Sequence, residues 1–208
     1  MMNNSEIHHR RSIRLKQYDY SQTGAYFVTV CTYNRNCLFG KIINGKVELN
    51  DAAKVVNQCW LEIPNHFPDI QVDEFVIMPN HLHGIIMKVG ARFIVPNDLG
   101  FDKSNPYIDN NPMMTSLFTL GKIIRAFKAR TSHIIRTTTN LSHFKWQRNY
   151  YEHIIRNEDE LNRIREYIIN NPLQWEYDRE NVRRISNKAN QWQALEEVIY
   201  GKTEKQQP

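Results

Sequence analysis

Phe75-Val-Ile-Met-Pro-Asn-His-Leu-His-Gly-Ile-Ile-Met87 is an apolar run that breaks at Pro79-Asn80 and then resumes with two histidines flanking one leucine. It reads as two adjacent strands, Val72 to Met78 and Leu82 to Lys88, on either side of the histidine motif. Side chains two apart on a strand point the same way. His81 and His83 therefore aim their imidazoles at one spot, while Leu82 enters the core behind them. Neutral imidazole is the commonest metal-binding side chain, so the pair makes half of a metal site. The plainer alternative is two polar residues on the wet face of an amphipathic strand.

Outward from this stretch the chain mixes α and β patterns. Upstream, Gly24-Ala-Tyr-Phe-Val-Thr-Val-Cys-Thr-Tyr33 is rich in β-branched and aromatic residues and reads as the first strand. Leu38 to Leu49 reads as a hairpin turning at Asn44-Gly45, the preferred dipeptide of a tight turn. Asn50 then caps a helix through Glu62, with Ala52, Val55, Val56, Cys59 and Trp60 as its buried stripe. Downstream, residues 90–114 lose periodicity and read as a loop or insertion, marked by Pro96, Gly100, Pro106 and Pro112. A second helix is expected from Ser116 to Arg136, with Leu117, Leu120, Ile124, Phe127 and Ile134 on its apolar side. Its cations, Lys122, Arg125, Lys128, Arg130 and Arg136, come with no acidic residue between Thr115 and Ser142. That one-sidedness suits a phosphate-binding surface, although a charged face is also what solvation alone produces.

The third helix begins at Asn157, an N-cap followed by Glu158, Asp159 and Glu160, where the helix dipole favours acids. Leu161, Ile164, Arg165 and Ile168 mark one side. Asn171-Pro172 ends it, because a residue before proline is pushed out of the helical region. Tyr167 and Asn171 lie one turn apart on one face, about 6 Å along the axis. The segment after Leu173, with Trp175 and Trp192, reads as a packed appendage without legible chemistry.

Composition bounds the possibilities. The 208 residues suit one domain with a real core. A net charge of +5 and a pI of about 9.1 favour a polyanionic partner. Cys31, Cys37 and Cys59 show no paired spacing, which fits a reducing cytoplasm better than a disulfide framework. No apolar run reaches the ~20 residues of a membrane span, and residues 1–14 have no apolar signal core. A cytoplasmic protein without membrane association is expected.

Two histidines need at least one more ligand to hold a divalent ion. An amide oxygen such as that of Asn171 gives a mixed N/O site that Mg²⁺ or Mn²⁺ tolerates, whereas structural zinc prefers four closed ligands. Such an ion polarises a phosphodiester and helps a tyrosine, a weak nucleophile at its free pKa of about 10, to ionise. Of ten tyrosines, helical spacing to a candidate ligand favours Tyr167. Tyr150 and Tyr151, in a polar cluster beside His153, remain rivals.

Several blocks taken in order are more specific than any one of them. They are Arg11-Ser-Ile-Arg-Leu, Tyr18-Asp-Tyr-Ser, Gly24-Ala-Tyr-Phe-Val-Thr-Val, Asp73-Glu-Phe-Val-Ile-Met-Pro-Asn-His-Leu-His-Gly, Trp146-Gln-Arg-Asn-Tyr-Tyr-Glu-His-Ile-Ile-Arg-Asn and Tyr167-Ile-Ile-Asn-Asn-Pro172. Through them the chain, from about Arg10 to Trp175, resembles the REP-associated tyrosine transposases, relatives of the insertion-sequence-200 transposases in the His-hydrophobe-His single-tyrosine superfamily. The resemblance implies a single α+β domain with a ferredoxin-like (RRM-like) central antiparallel sheet and packed helices. It implies His81 and His83 as metal ligands, Asn171 as the third, and Tyr167 as the nucleophile that forms a 5′-phosphotyrosine. The implied cofactor is a divalent metal, Mg²⁺ or Mn²⁺, and the implied partner is single-stranded DNA in hairpin-forming repeats, met by a monomer or a homodimer.

On this reading residues 1–176 form the catalytic domain, with 90–114 as an insertion, and 177–208 form a C-terminal tail. The expected DNA contacts are Arg10, Arg11, Arg14, Lys122, Arg125, Lys128, Arg130 and Arg148. Two other classes stay open: a metal phosphoesterase using a bound water, and a catalytically inactive module that grips single-stranded nucleic acid.

Overall fold

A computed structural model describes residues 23–89, 119–185 and 193–200. Strand β1 (Gly24–Cys31) leads into a two-stranded hairpin, β2 (Gly40–Ile43) and β3 (Lys46–Leu49). Asn44 and Gly45 join the hairpin with φ of 50° and 72°, the left-handed pair that a tight hairpin turn demands. Helix α1 (Asp51–Leu61) and the short α2 (Ile63–His66) follow, then β4 (Ile70–Met78) and β5 (His81–Lys88). Helix α3 (Leu120–Thr138), β6 (Tyr151–Ile155), α4 (Glu158–Asn170) and α5 (Gln193–Tyr200) complete the described elements.

Strands β4-β5-β1-β6 form one sheet in that order, every neighbouring pair antiparallel. Apart from the inserted hairpin, the chain order β1-α1-β4-β5-α3-β6 is the βαββαβ sequence of a ferredoxin-like fold. The expected α+β class and central antiparallel sheet are therefore what the protein adopts.

Local chemistry explains the helix starts. The Asn50 side chain accepts from the Ala53 N–H at 3.0 Å, and Asn157 from the Glu160 N–H at 2.8 Å, each satisfying a donor that a helix leaves free. Glu160 answers by accepting from the Arg156 N–H and from His153 Nε2, which ties α4 to β6.

The sheet has two covered faces. Tyr26, Val28, Val30, Leu82 and Ile86 pack under α1 and α3, around Trp60 and Phe127. Phe27 and Ile85 pack under α4 and α5, against Ile164, Tyr167, Ile168 and Ile199. Gly84 lies under Trp60 so closely that a Cβ would fall within van der Waals overlap of its ring.

Three details differ from the periodicity reading. The apolar side of α3 runs Leu120, Ile124, Phe127, Thr131, Ile135, so Ile135 rather than Ile134 is buried, as steps of three and four residues require. In α1 Ala53 is buried and Val55 only half-buried. The β4 and β5 strands begin two and one residues earlier than expected. The expected loop at 90–114, Leu117, Trp192 and the basic residues Arg10, Arg11 and Arg14 lie outside the described residues. Among the described residues no helix is long and apolar enough to cross a membrane.

Candidate metal centre and tyrosine site

Strand alternation places the two histidines as their spacing predicts. His81 sits opposite Cys31 and Met78, His83 opposite Thr29 and Val76. Leu82 points to the other face, into the apolar core. Both imidazoles are fully buried, and their Nε2 atoms stand 2.9 Å apart.

The surrounding hydrogen bonds orient the rings. The Asn80 amide nitrogen donates to the carbonyls of Arg35 (3.1 Å) and Glu180 (2.8 Å), which fixes which end of the amide is oxygen. Asn80 Oδ1, 2.8 Å from His81 Nδ1, must therefore accept from it. His81 consequently carries its proton on Nδ1 and turns an Nε2 lone pair toward His83. His83 Nδ1 lies 2.8 Å from Thr29 Oγ1, which lies 2.8 Å from the Tyr200 hydroxyl. Such outer partners hold the rings and set the tautomers of metal-binding histidines.

A third donor comes from the segment after α4. The Asp178 side chain is fully buried, with Oδ2 3.7 Å from His83 Nε2 and 3.9 Å from His81 Nε2. Its Oδ1 accepts from the Glu180 N–H, whereas Oδ2 has no hydrogen-bond partner among the described residues. Burial alone would raise this carboxyl, but the neighbouring His81 and His83 imidazoles outweigh it and hold it below the ordinary carboxylate range. Burial, reinforced by His83, lowers His81 to about 3, so its imidazole is neutral near pH 7.

His81, His83 and Asp178 thus offer three ligand atoms within 4.8 Å of one another. Donors sharing an ion at 2.0–2.2 Å stand about 3 Å or more apart, which the three separations match. Two facing nitrogens and an orphaned buried carboxylate oxygen fit a cation. Asn171 is also buried, and its Oδ1 likewise has no hydrogen-bond partner.

Tyr167 joins this cluster from α4. Its ring centroid is 5.5 Å from that of His83 and 6.1 Å from that of Phe27. Burial, then Tyr200, Asp178 and Glu196, push its phenol well above 10. The rivals separate by face. Tyr150 packs with the α1/α3 core beneath Lys128. Tyr151 is on the histidine side, opposite Thr29, where it packs against Tyr200 at 5.0 Å.

The structure treats the expected DNA contacts unequally. Lys128 Nζ donates to the carbonyls of Gln147 and Asn149, and burial lowers it to about 8. Arg130 pairs with Glu62 at 2.6 Å, and Arg136, a further cation of the same helix, donates from Nε to the Phe144 carbonyl. These three hold elements together. Lys122, Arg125 and Arg148 are exposed.

The segment expected to be an appendage is the largest correction: it delivers Asp178 and Glu180 into the site. Glu180 accepts from Arg35 Nε at 2.7 Å and from the Cys31 thiol at 3.4 Å. A boundary at residue 176 cuts Asp178 from its histidines. Tyr200, also unforeseen, closes the cluster from α5. The signal available in sequence was the alternation Glu176, Asp178, Glu180 in an otherwise basic stretch.

Fold and cluster together define a ferredoxin-like α+β protein with a buried His-His-Asp group and a tyrosine beside it. The chain is 48% identical over 178 residues to a Haemophilus influenzae protein described as uncharacterized, covering 84% of this chain and 94% of that one. It belongs to that protein's family. No family model matches the chain. A solved structure of a REP-associated tyrosine transposase bound to a REP hairpin is similar, with a TM-score of 0.48 and 19% identity over 78% of this chain and 73% of that chain.

Proposed function

We propose that this protein is a DNA transposase, a divalent-metal-dependent endonuclease and strand transferase that acts on single-stranded DNA through a 5′-phosphotyrosine on Tyr167. The observation that carries the reading is the placement of Tyr167 against His83, at a cluster whose two facing imidazole nitrogens and orphaned carboxylate oxygen call for a cation. The sequence resemblance to the His-hydrophobe-His single-tyrosine enzymes supports it independently.

His81, His83 and Asp178 would hold the ion, Mg²⁺ or Mn²⁺, with Asn171 Oδ1 as a further oxygen donor. A divalent ion there supplies Lewis-acid charge to a phosphodiester and favours the phenolate form of a nearby tyrosine. Asn80 and Thr29 keep the imidazoles turned inward. Tyr167 supplies the nucleophile: its Oη–P bond forms as the P–O3′ bond breaks, the phenol proton departs, and the leaving 3′ oxygen takes up a proton. The phosphotyrosine conserves the bond, so a different 3′-hydroxyl can reverse the step and join strands. Tyr167 is buried beside Tyr200 of α5, so a strand reaches it once Tyr200 moves aside, while Asp178 stays on the histidines. The substrate is a strand bearing hairpin-forming repeats, met by a monomer or homodimer in the cytoplasm, where the three free cysteines stay reduced.

The test is a denaturing gel of labelled hairpin-bearing single strands incubated with the protein and Mn²⁺. Wild type, Tyr150→Phe and Tyr151→Phe should give a protein–DNA adduct, and Tyr167→Phe none. Cleavage without an adduct would assign the site to a water-using phosphoesterase, and binding without cleavage to a binding module.

A further inference from the structure

We infer that a second site, centred on Tyr33, holds an unpaired nucleobase of the strand whose phosphodiester Tyr167 attacks. The inference rests on the proposed reaction for its substrate class, and on a separate part of the molecule for its evidence.

A cavity of about 270 Å³ opens where the turn after β1 meets the segment between α3 and β6. Leu38 and Phe144 give it apolar walls. Tyr33, Asn140, His143 and Lys145 also line it, and none of its lining residues is acidic. Tyr33 is 53% exposed, an aromatic left at the surface next to a lysine. Aromatic faces beside cations are how proteins hold single strands, since every base has a π-face and every phosphate a negative charge. The amide of Asn140 adds a donor and an acceptor of the kind that read a base edge.

The cavity is built rather than incidental. Tyr33 N–H donates to the Lys145 carbonyl at 2.8 Å, and Thr32 bridges Trp146, so its two sides are stitched together. Phe144 meets Trp146 edge-to-face at 5.2 Å and lies 5.8 Å from Phe39, which anchors its wall in the core. Arg136 holds the Phe144 carbonyl. Asn34 and Arg35 follow Tyr33 with φ of 55° and 54°. Two consecutive non-glycine residues in the left-handed region are costly, and such strain persists where a precise loop shape is used.

That loop also leads straight to the metal centre. Arg35 pairs with Glu180, and the Arg35 carbonyl accepts from Asn80, whose oxygen holds His81. A strand with its phosphate at the histidines reaches this cavity by passing Arg35, around the end of the sheet where Cys31 pairs with His81. The proposed chemistry leaves the cavity unused, so a flanking base is the occupant it fits.

The test uses the same hairpin-bearing single strands with iodouracil in their unpaired flanks, irradiated on the full-length protein, with the crosslinked peptide identified by mass spectrometry. The crosslink should map to Tyr33 or to residues 140–145. Tyr33→Ala should weaken single-strand binding roughly five- to 150-fold, the range that one base–aromatic stack contributes. Tyr33→Trp should restore it, and Tyr33→Ala at saturating DNA should still form the Tyr167 adduct. Affinity unchanged in Tyr33→Ala, or crosslinks confined elsewhere, would overturn the inference. An adduct with no Tyr33 effect leaves the catalytic reading standing alone. A Tyr33 crosslink without any adduct leaves the nucleobase site standing alone. A wild type that binds no strand sinks both.

Discussion

The two faces of the central sheet are made by the same strands and do opposite things. Under α1 and α3, Val28, Val30 and Leu82 meet Trp60 and Phe127 in a largely apolar layer. One residue away on each strand, Thr29, Cys31, His81 and His83 are equally buried, but beneath Asp178 and Glu180. Burying apolar area stabilises a fold, whereas burying polar groups costs free energy unless each is paired. The period of two lets one short stretch, His81-Leu-His83, anchor the core with its middle residue and bring its outer two beside Asp178. The difference teaches that the apolar face supplies the stability that lets the histidine face bury polar groups with few partners.

The largest expected effects set one face against the other. His83→Ala should abolish adduct formation while shifting the urea midpoint little, because the ring leaves a polar cluster already short of partners. Trp60→Ala should instead lose about 3–5 kcal/mol of stability, the usual cost of emptying a large aromatic site. It should keep adduct chemistry in whatever fraction stays folded. Gly84→Ala, which drives a methyl into Trp60, should cost about 1–3 kcal/mol by overpacking. Equal stability losses in His83→Ala and Trp60→Ala would erase the distinction between the faces.

Acid should act on the histidine face through His81. His81 is lowered by burial and by His83 to about 3 in the folded chain, against about 6.5 when unfolded. Between those values the unfolded chain takes up a proton that the native one refuses. Stability in the metal-free protein should thus fall as pH drops from about 6.5 toward 3, at up to about 1.4 kcal/mol per unit. His81→Gln should flatten that slope in chelator-treated protein, as read from denaturation midpoints across the range. A slope unchanged by the substitution would place the acid sensitivity elsewhere.

How much of this was legible in the sequence follows from how local each signal is. The Asn44-Gly45 turn, the Asn50 and Asn157 caps, the shared face of His81 and His83, and the one-turn spacing of Tyr167 and Asn171 are set by neighbours in the chain. Beyond the acidic alternation around Asp178, the places of Asp178 and Tyr200 were illegible, because they reach the histidines only through the packing of the last segment over the sheet. Lys128 was misread for a related reason. A lysine on a helix surface looks like a free cation until β6 and the turn before it bring the carbonyls of Gln147 and Asn149 to its ammonium.

The smallest effect concerns how α4, which carries Tyr167, is held to the sheet. A bulge in β4 between Val72 and Phe75 breaks the regular pairing at Asp73. There Asp73 accepts from both Nε and a terminal nitrogen of Arg165 on α4, at 3.0 and 2.5 Å. The pair is partly exposed, so it is worth little: Asp73→Asn should cost about 0.5–1 kcal/mol, less in high salt. Hydrogen bonding from Arg165 lowers the Asp73 carboxyl despite its partial burial. Its contribution is therefore present above the ordinary aspartate value of about 4 and fades as pH falls below it. Because Ile164 and Ile168 already seat α4 on Phe27 and Ile85, Asp73→Asn should change the rate of adduct formation by no more than a few-fold. A loss approaching that of Tyr167→Phe would mean that the ion pair, and not the apolar contact, sets the height of Tyr167 over His83.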